Sequence, residues 1–139
     1  MKVKEASKMG LDVIVTDHHV PPDDIPEAAA IIDPTLPESG YPTRELAGVG
    51  VAMKLLEALF FGLGQEDKLE KVVDLVALGT VADMVPLLGE NRYLVKKGLR
   101  ILNDSPRLGI QEIINRTNLD GANINRRWYE IRKSREDGK

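Results

Sequence analysis

The sequence predicts an α/β protein on an incomplete parallel sheet, about two strands covered by four or five helices. Three observations lead there. Two short apolar runs, LDVIVTD (11–17) and AAAIIDP (28–34), have the length and content of buried strands. The first follows a helical segment across Gly10, and helix, glycine and continuous apolar strand in succession are the grammar of parallel α/β units. Most of the remaining chain carries apolar residues at helical spacing. A parallel sheet of two strands, needing cover on both faces, is too small to stand alone. Part of the sheet is therefore expected to lie outside these residues.

Element by element, Val3, Ala6 and Met9 share one helical face, and Gly10 fits the position just past a helix end. After the first strand, HHVPPDDIPE (18–27) is a loop, because its three prolines break both helix and strand. TLPESGYPTRE (35–45) is a second, proline-punctuated loop. Residues 46–63 form a helix with Val49, Met53, Leu56 and Phe60 on its inner stripe, widened by Leu55 and Leu59. Ala47, Gly48 and Gly50 leave its start slim enough for another backbone to approach, and Gly62 and Gly64 stop it. A second helix covers 67–84, with Leu69, Val72, Val73, Val76 and Val81 apolar and Pro86 closing it. Periodicity does not decide whether Gly79 interrupts it. A third spans about 90–103, turning Leu94, Val95, Leu99 and Leu102 inward and Arg92, Lys96, Lys97 and Arg100 outward. A short fourth covers 109–116.

Composition narrows the function classes. The chain has 139 residues, 42% hydrophobic and 29% charged, ordinary values for one globular domain. It has no cysteine, which excludes disulfides, thiolate catalysis and cysteine-based zinc sites. No apolar run approaches the roughly 18–20 residues of a membrane span, and MKVKEASKMG lacks the apolar core of a signal peptide. A soluble cytoplasmic protein without membrane contact is expected. The net charge of −3 is not the basic footprint of a module that holds nucleic acid by phosphate neutralisation alone. The tail differs: within 126–139, Arg126, Arg127, Arg132, Lys133, Arg135 and Lys139 surround Trp128 and Tyr129. Such a mixture can contact single strands by charge and stacking, or can be a solvated, frayed end.

Candidate chemistry is concentrated in few residues. His18 and His19 are the only histidines and follow Asp17 at the carboxyl end of a predicted parallel strand, where α/β sheets bind ligands. Neutral imidazole suits Mn²⁺-like or Zn²⁺-like ions, and a neighbouring carboxylate can orient the ring. The bare tripeptide also reads as a polar strand end with its histidines in solvent. Asp83, in GTVADMVP, sits among apolar neighbours, where burial demands a partner or a metal. It reads equally as a helix-end carboxylate facing water. Asp23, Asp24 and Glu27 read as loop charges, and Asp74 as part of the polar side of its helix. The outward basic set could meet phosphates, though a charged helix face is usually just solvated.

VIVTDHHVPPDDIPEAAAIIDP, ELAGVGVAMKLLEAL and DLVALGTVADMVPLLGENRYLVKKGLRIL together resemble the third and fourth motif regions of the RecJ branch of the DHH phosphoesterase family. The resemblance covers roughly residues 3–115 and makes the fold an incomplete DHH domain. It implies an enzyme of DNA repair and recombination that degrades single-stranded DNA from its 5′ end. The implied chemistry is two-metal phosphodiester hydrolysis with Mn²⁺ or Mg²⁺. By the same resemblance His18 is the imidazole ligand of one metal, and Asp83 is the fourth-motif carboxylate on that metal. His19 is the neighbour that contacts the scissile phosphate or supports the site, and Asp17 orients the site.

The family's first-motif Asp-x-Asp element and second-motif bridging Asp have no counterpart in the sequence, nor has its second domain. Residues 1–116 are accordingly expected to be the C-terminal portion of a DHH phosphoesterase domain, and 117–139 an unmatched, poorly ordered basic tail. A truncated or frameshifted reading frame would account for both ends. The parent protein is then an enzyme, and the isolated chain is inactive or nearly so and prone to self-associate. Two other readings stay open. One is a DHH phosphoesterase for oligonucleotides, a cyclic dinucleotide or pyrophosphate. The other is a non-catalytic module completed by a partner chain.

Overall fold

The structure is a computed structural model and describes residues 2–117. The elements in order are α1 (Lys2–Lys8), β1 (Ile14–Thr16), β2 (Ala30–Ile32), α2 (Gly48–Leu63), a 3-10 helix (Glu66–Val72), α3 (Val73–Asp83), α4 (Gly89–Asp104) and α5 (Leu108–Thr117). The α/β class, two parallel strands and five α-helices agree with the sequence reading. The tail lies outside the described residues, except Thr117, which ends α5.

β1 and β2 pair in parallel, Ile14 with Ala30, Val15 with Ile31 and Thr16 with Ile32. The ladder runs one bond further at each end, Ala29 N–H to Val13 O at 2.8 Å and Asp17 N–H to Ile32 O at 3.1 Å. The expected burial is not met. No residue of either strand is buried, and Ile14 is 57% exposed. Each strand has a single strand neighbour among the described residues. Met9, which should have faced inward from the first helix, is 79% exposed.

The helices share a core, although Leu59, Phe61, Leu75, Leu78 and Ile113 stay exposed on their outer faces. Leu46, Val51, Met53, Val73, Val76 and Leu94 form the core, with Ile32, Tyr41, Val49 and Ile101 packed on it. α3 and α4 touch where Gly98 lies: a Cβ there would stand 2.4 Å from both Ala77 Cβ and Val73 O. α2 ends at Gly64, which takes the left-handed conformation at φ +63°. Gly62 does not stop it and lies inside the helix with open space around it. The predicted helix over 67–84 divides into the 3-10 turn and α3, so its early residues pack with a tighter winding. Gly79 leaves α3 intact and receives Val49 from α2, whose Cγ1 would lie 2.9 Å from an added Cβ. α3 closes at Met84, left-handed at φ 67°, ahead of Pro86.

Asp74 corrects the sequence reading. It is buried rather than on a polar face, and Arg107 grips it with two hydrogen bonds, Nε to Oδ2 at 2.6 Å and a terminal nitrogen to Oδ1 at 3.0 Å. Arg107 arrives from the turn before α5, so helical periodicity around Asp74 could not reveal it. Among the described residues no helix is long and apolar enough to cross a membrane.

Candidate metal centre

His18 lies just beyond the carboxyl end of β1, and Asp83 is the last residue of α3. The fold brings His18 Nε2 within 3.4 Å of Asp83 Oδ2. That is long for a hydrogen bond and close enough for two donors to share one cation. The His18 side chain is 16% exposed and that of Asp83 32%, so the pair opens to solvent without lying flat on the surface.

Asp17 shapes the loop that presents the histidines. Its Oδ1 accepts from His18 N–H at 2.7 Å, His19 N–H at 3.2 Å and His19 Nδ1 at 2.7 Å. A carboxylate oxygen so engaged turns the chain and holds the His19 ring. The hydrogen bond to His19 holds Asp17 below the usual carboxylate range, aided by the two backbone bonds against some desolvation. The same bond raises His19 above the ordinary imidazole value. With Nδ1 donating, Nε2 is the remaining ring nitrogen of His19, on a side chain 75% exposed.

Two further elements complete the walls. The first turn of α2 runs under His18: a Cβ on Gly48 would sit 3.0 Å from His18 Cδ2. Gly48 N–H also points at Asp83 Oδ2, 3.4 Å away. On the other side Asp33, buried after β2, accepts from Thr35 N–H at 2.8 Å and Thr35 Oγ1 at 2.7 Å. Thr35 Oγ1 in turn contacts the His19 carbonyl at 2.8 Å, tying the histidine loop to the second strand end.

The sequence reading missed Asp33, Thr35 and Asn91, and noted Gly48 only as small. Each has a faint signal, a short polar residue at a strand end or inside an apolar helix stripe. Asn91 is 1% exposed and bonds to the loops on either side of the site. Asp23, Asp24 and Glu27 remain exposed loop charges. Of the outward basic set, Lys97 pairs with Glu70 at 3.1 Å. Arg92, Lys96 and Arg100 are exposed.

An imidazole nitrogen and a carboxylate oxygen are donors that suit Mn²⁺, and the oxygen suits Mg²⁺. No third histidine or carboxylate joins them into a ligand group among the described residues. The pair therefore fits as part of a coordination sphere and not as the whole of one.

A parallel strand end carrying Asp-His-His, closed by a carboxylate from a later helix, defines a class, and the comparisons agree on it. The family model described as DHH family, N-terminal domain, matches residues 1–80, and the chain belongs to the DHH family. Its relatives are single-stranded-DNA-specific exonucleases named RecJ. The Bacillus subtilis protein is 46% identical over 123 residues, covering 88% of this chain and 15% of that protein. The Escherichia coli protein is 42% identical over 133 residues, covering 88% of this chain and 23% of its own length. A crystal structure of exonuclease RecJ bound to manganese superposes with a TM-score of 0.74 at 38% identity, over 86% of this chain and 30% of that one. The chain thus spans less than a quarter of the curated relatives it matches.

Proposed function

We propose that this chain is the third- and fourth-motif portion of a 5′-directed, single-strand-specific DNA exonuclease using two metals, with residues 1–116 the C-terminal portion of its DHH domain. The observation that carries this is the convergence of His18 and Asp83 at a strand end, in a chain 46% identical to a RecJ exonuclease. His18 Nε2 and Asp83 Oδ2 would hold one Mn²⁺ or Mg²⁺. A bound metal supplies an acidified water and neutralises charge on phosphate oxygens.

The chain's own residues do the rest. Asp17 fixes the backbone of the histidine loop, which places the root of the His18 side chain facing Asp83. Because Asp17 favours the protonated ring, His19 Nε2 is suited to donate a hydrogen bond to a phosphate oxygen of the strand. Gly48 N–H steadies Asp83 Oδ2. Two ligands do not hold a hydrated divalent ion tightly, and no third joins them among the described residues. The isolated chain is consequently inactive or nearly so. It self-associates through the exposed side of β1, and the complete enzyme works on DNA in the cytoplasm.

Two assays test this. The chain alone, with Mn²⁺ and a 5′-phosphorylated single strand, should release no nucleotides. Release that disappears in His18→Ala would overturn the half-site reading. In a chimera, residues 1–116 replace the matching segment of the Bacillus subtilis relative. It should degrade the strand, and His18→Ala or Asp83→Ala should cost more than the roughly 10–100-fold typical of outer-shell changes. A chimera indifferent to both substitutions would sink the assignment of the ligands.

A further inference from the structure

We infer that Asn91 is a positioning residue of the His18–Asp83 site, a clamp holding the two backbone segments that deliver its parts. The inference rests on the metal-site reading above for its purpose, but its geometry stands independently of it.

Asn91 lies in the first turn of α4 and is 1% exposed. A buried primary amide must find partners for two donor protons and an acceptor oxygen. Here every partner is backbone, and none belongs to α4. Nδ2 donates to Glu45 O at 2.7 Å and to Pro86 O at 3.0 Å, and Oδ1 accepts from Ala47 N–H at 3.3 Å. Glu45 and Ala47 are in the segment entering α2, and Pro86 is in the segment leaving α3. Among the described residues no backbone–backbone hydrogen bond joins these two segments directly. The Asn91 amide bridges them, alongside the longer Gly48–Asp83 contact.

Those segments are the ones that build the site. Gly48 follows Ala47 immediately, lies against the His18 ring and directs its N–H at Asp83. Asp83 stands three residues before Pro86. The Gly48–Asp83 contact, at 3.4 Å, is already at the limit of a hydrogen bond, and a small separation of the two segments would lose it. A core asparagine serving only the stability of α4 would have no reason to place all three bonds on these loops. Aspartate has the same outline but no donor, so it would set a carboxylate against two carbonyls. Alanine removes all three bonds.

The test uses the full chain with isotope labels, comparing wild type, Asn91→Asp, Asn91→Ala and the core control Ile101→Val. Without metal, the Asn91 variants should speed exchange of the Gly48 amide and shift the His18 ring signals. Amides along α3 and α4 should change less. Ile101→Val should move all these amides together. With added Mn²⁺, broadening of the His18 ring should need on the order of tenfold more ion in the Asn91 variants, the scale of a lost outer-shell contact. Unchanged Gly48 exchange and His18 signals in folded variants would overturn the clamp, whatever the metal does. Wild-type chain showing no broadening at His18 would count against the metal reading instead, and the metal-free comparison would then decide the clamp alone. Should neither variant fold, wild type still discriminates. Gly48 and the Asn91 side-chain amide exchanging as one unit supports the clamp, and independent exchange overturns it.

Discussion

Where α3 crosses α4, the chain is packed to contact: Val73, Ala77 and Val95 are each 1% exposed, and Gly98 leaves no room for a methyl group. Across the molecule, β1 and β2 hold each other and little else, and no strand residue is buried. The helices bury a shared core between them while Leu59, Phe61, Leu75, Leu78 and Ile113 stay exposed on their outer faces, and the sheet adds only Ile32 to that core. The candidate site straddles the seam, with His18 from the sheet and Asp83 and Gly48 from the helices. A site divided in this way rests on a packed helical half and on a sheet half with no buried strand residue.

The sharpest way to break the comparison is to overfill the helical contact. Gly98→Ala should destabilise the chain by about 3 kcal/mol, because the new methyl meets the Val73 carbonyl oxygen and the Ala77 Cβ, both fixed to the α3 backbone. A thermal melt followed by circular dichroism should fall by roughly 10 °C or more. Ile14→Thr in β1 should change stability by less than about 0.5 kcal/mol, since its side chain gives up little buried area. Equal costs at the two positions would mean that the sheet is packed as tightly as the α3–α4 contact.

Next in size is Arg107→Ala. It leaves the Asp74 carboxylate, 3% exposed, without its partner, while Arg107 itself is 44% exposed. Losing one member of a fully buried pair costs about 3–5 kcal/mol, and a half-solvated arginine reduces this to about 2 kcal/mol. Urea unfolding should show it, and a cost near zero would mean that α5 is not anchored through this pair.

Gly48→Ala should separate stability from the site. Gly48 is the first residue of α2, where alanine gains only part of the roughly 1 kcal/mol it has over glycine in a helix interior, and the 3.0 Å contact is with a rotatable ring, so the melt should scarcely move. The His18 ring must yield, and Mn²⁺ affinity, read from the electron-spin signal of free ion, should drop by roughly tenfold. Unchanged affinity would show that the ring tolerates the displacement.

The smallest effect is at alkaline pH. Tyr41 donates to Glu90 Oε2 at 2.6 Å, and Lys54 pairs with the same carboxylate and with Glu57. Burial first, then the bond to Glu90, pushes the Tyr41 hydroxyl up from 10 to about 12. A raised folded value stabilises the protonated form. The contribution is therefore intact below pH 10 and is lost as pH rises toward 12. Near-ultraviolet titration should show a tyrosine step near pH 12 that Tyr41→Phe removes. Its survival in that variant would assign the step elsewhere.

Local pattern made much of this legible. Apolar spacing located α2 and α4 nearly to their ends, and β-branched runs located both strands, because those signals depend on neighbours a few residues apart. His18 and Asp83 were visible as residue types at suggestive places. Their meeting was not, since nothing local measures the distance between positions 18 and 83. Asp74 was misplaced because its partner, Arg107, lies outside the helical period around it. Asn91 and Asp33 passed unremarked because a short polar residue carries no sign of burial until its hydrogen-bond partners are known.

The sequence by itself determined the α/β class, the element order, the family motifs and the chemical types of the candidate ligands, all properties of neighbouring residues and their spacing. Only the tertiary structure decided that His18 and Asp83 converge, that Gly48 gives the ring its floor and that no strand residue is buried. Those depend on long-range packing and hydrogen bonding, where a difference of an ångström separates contact from its absence.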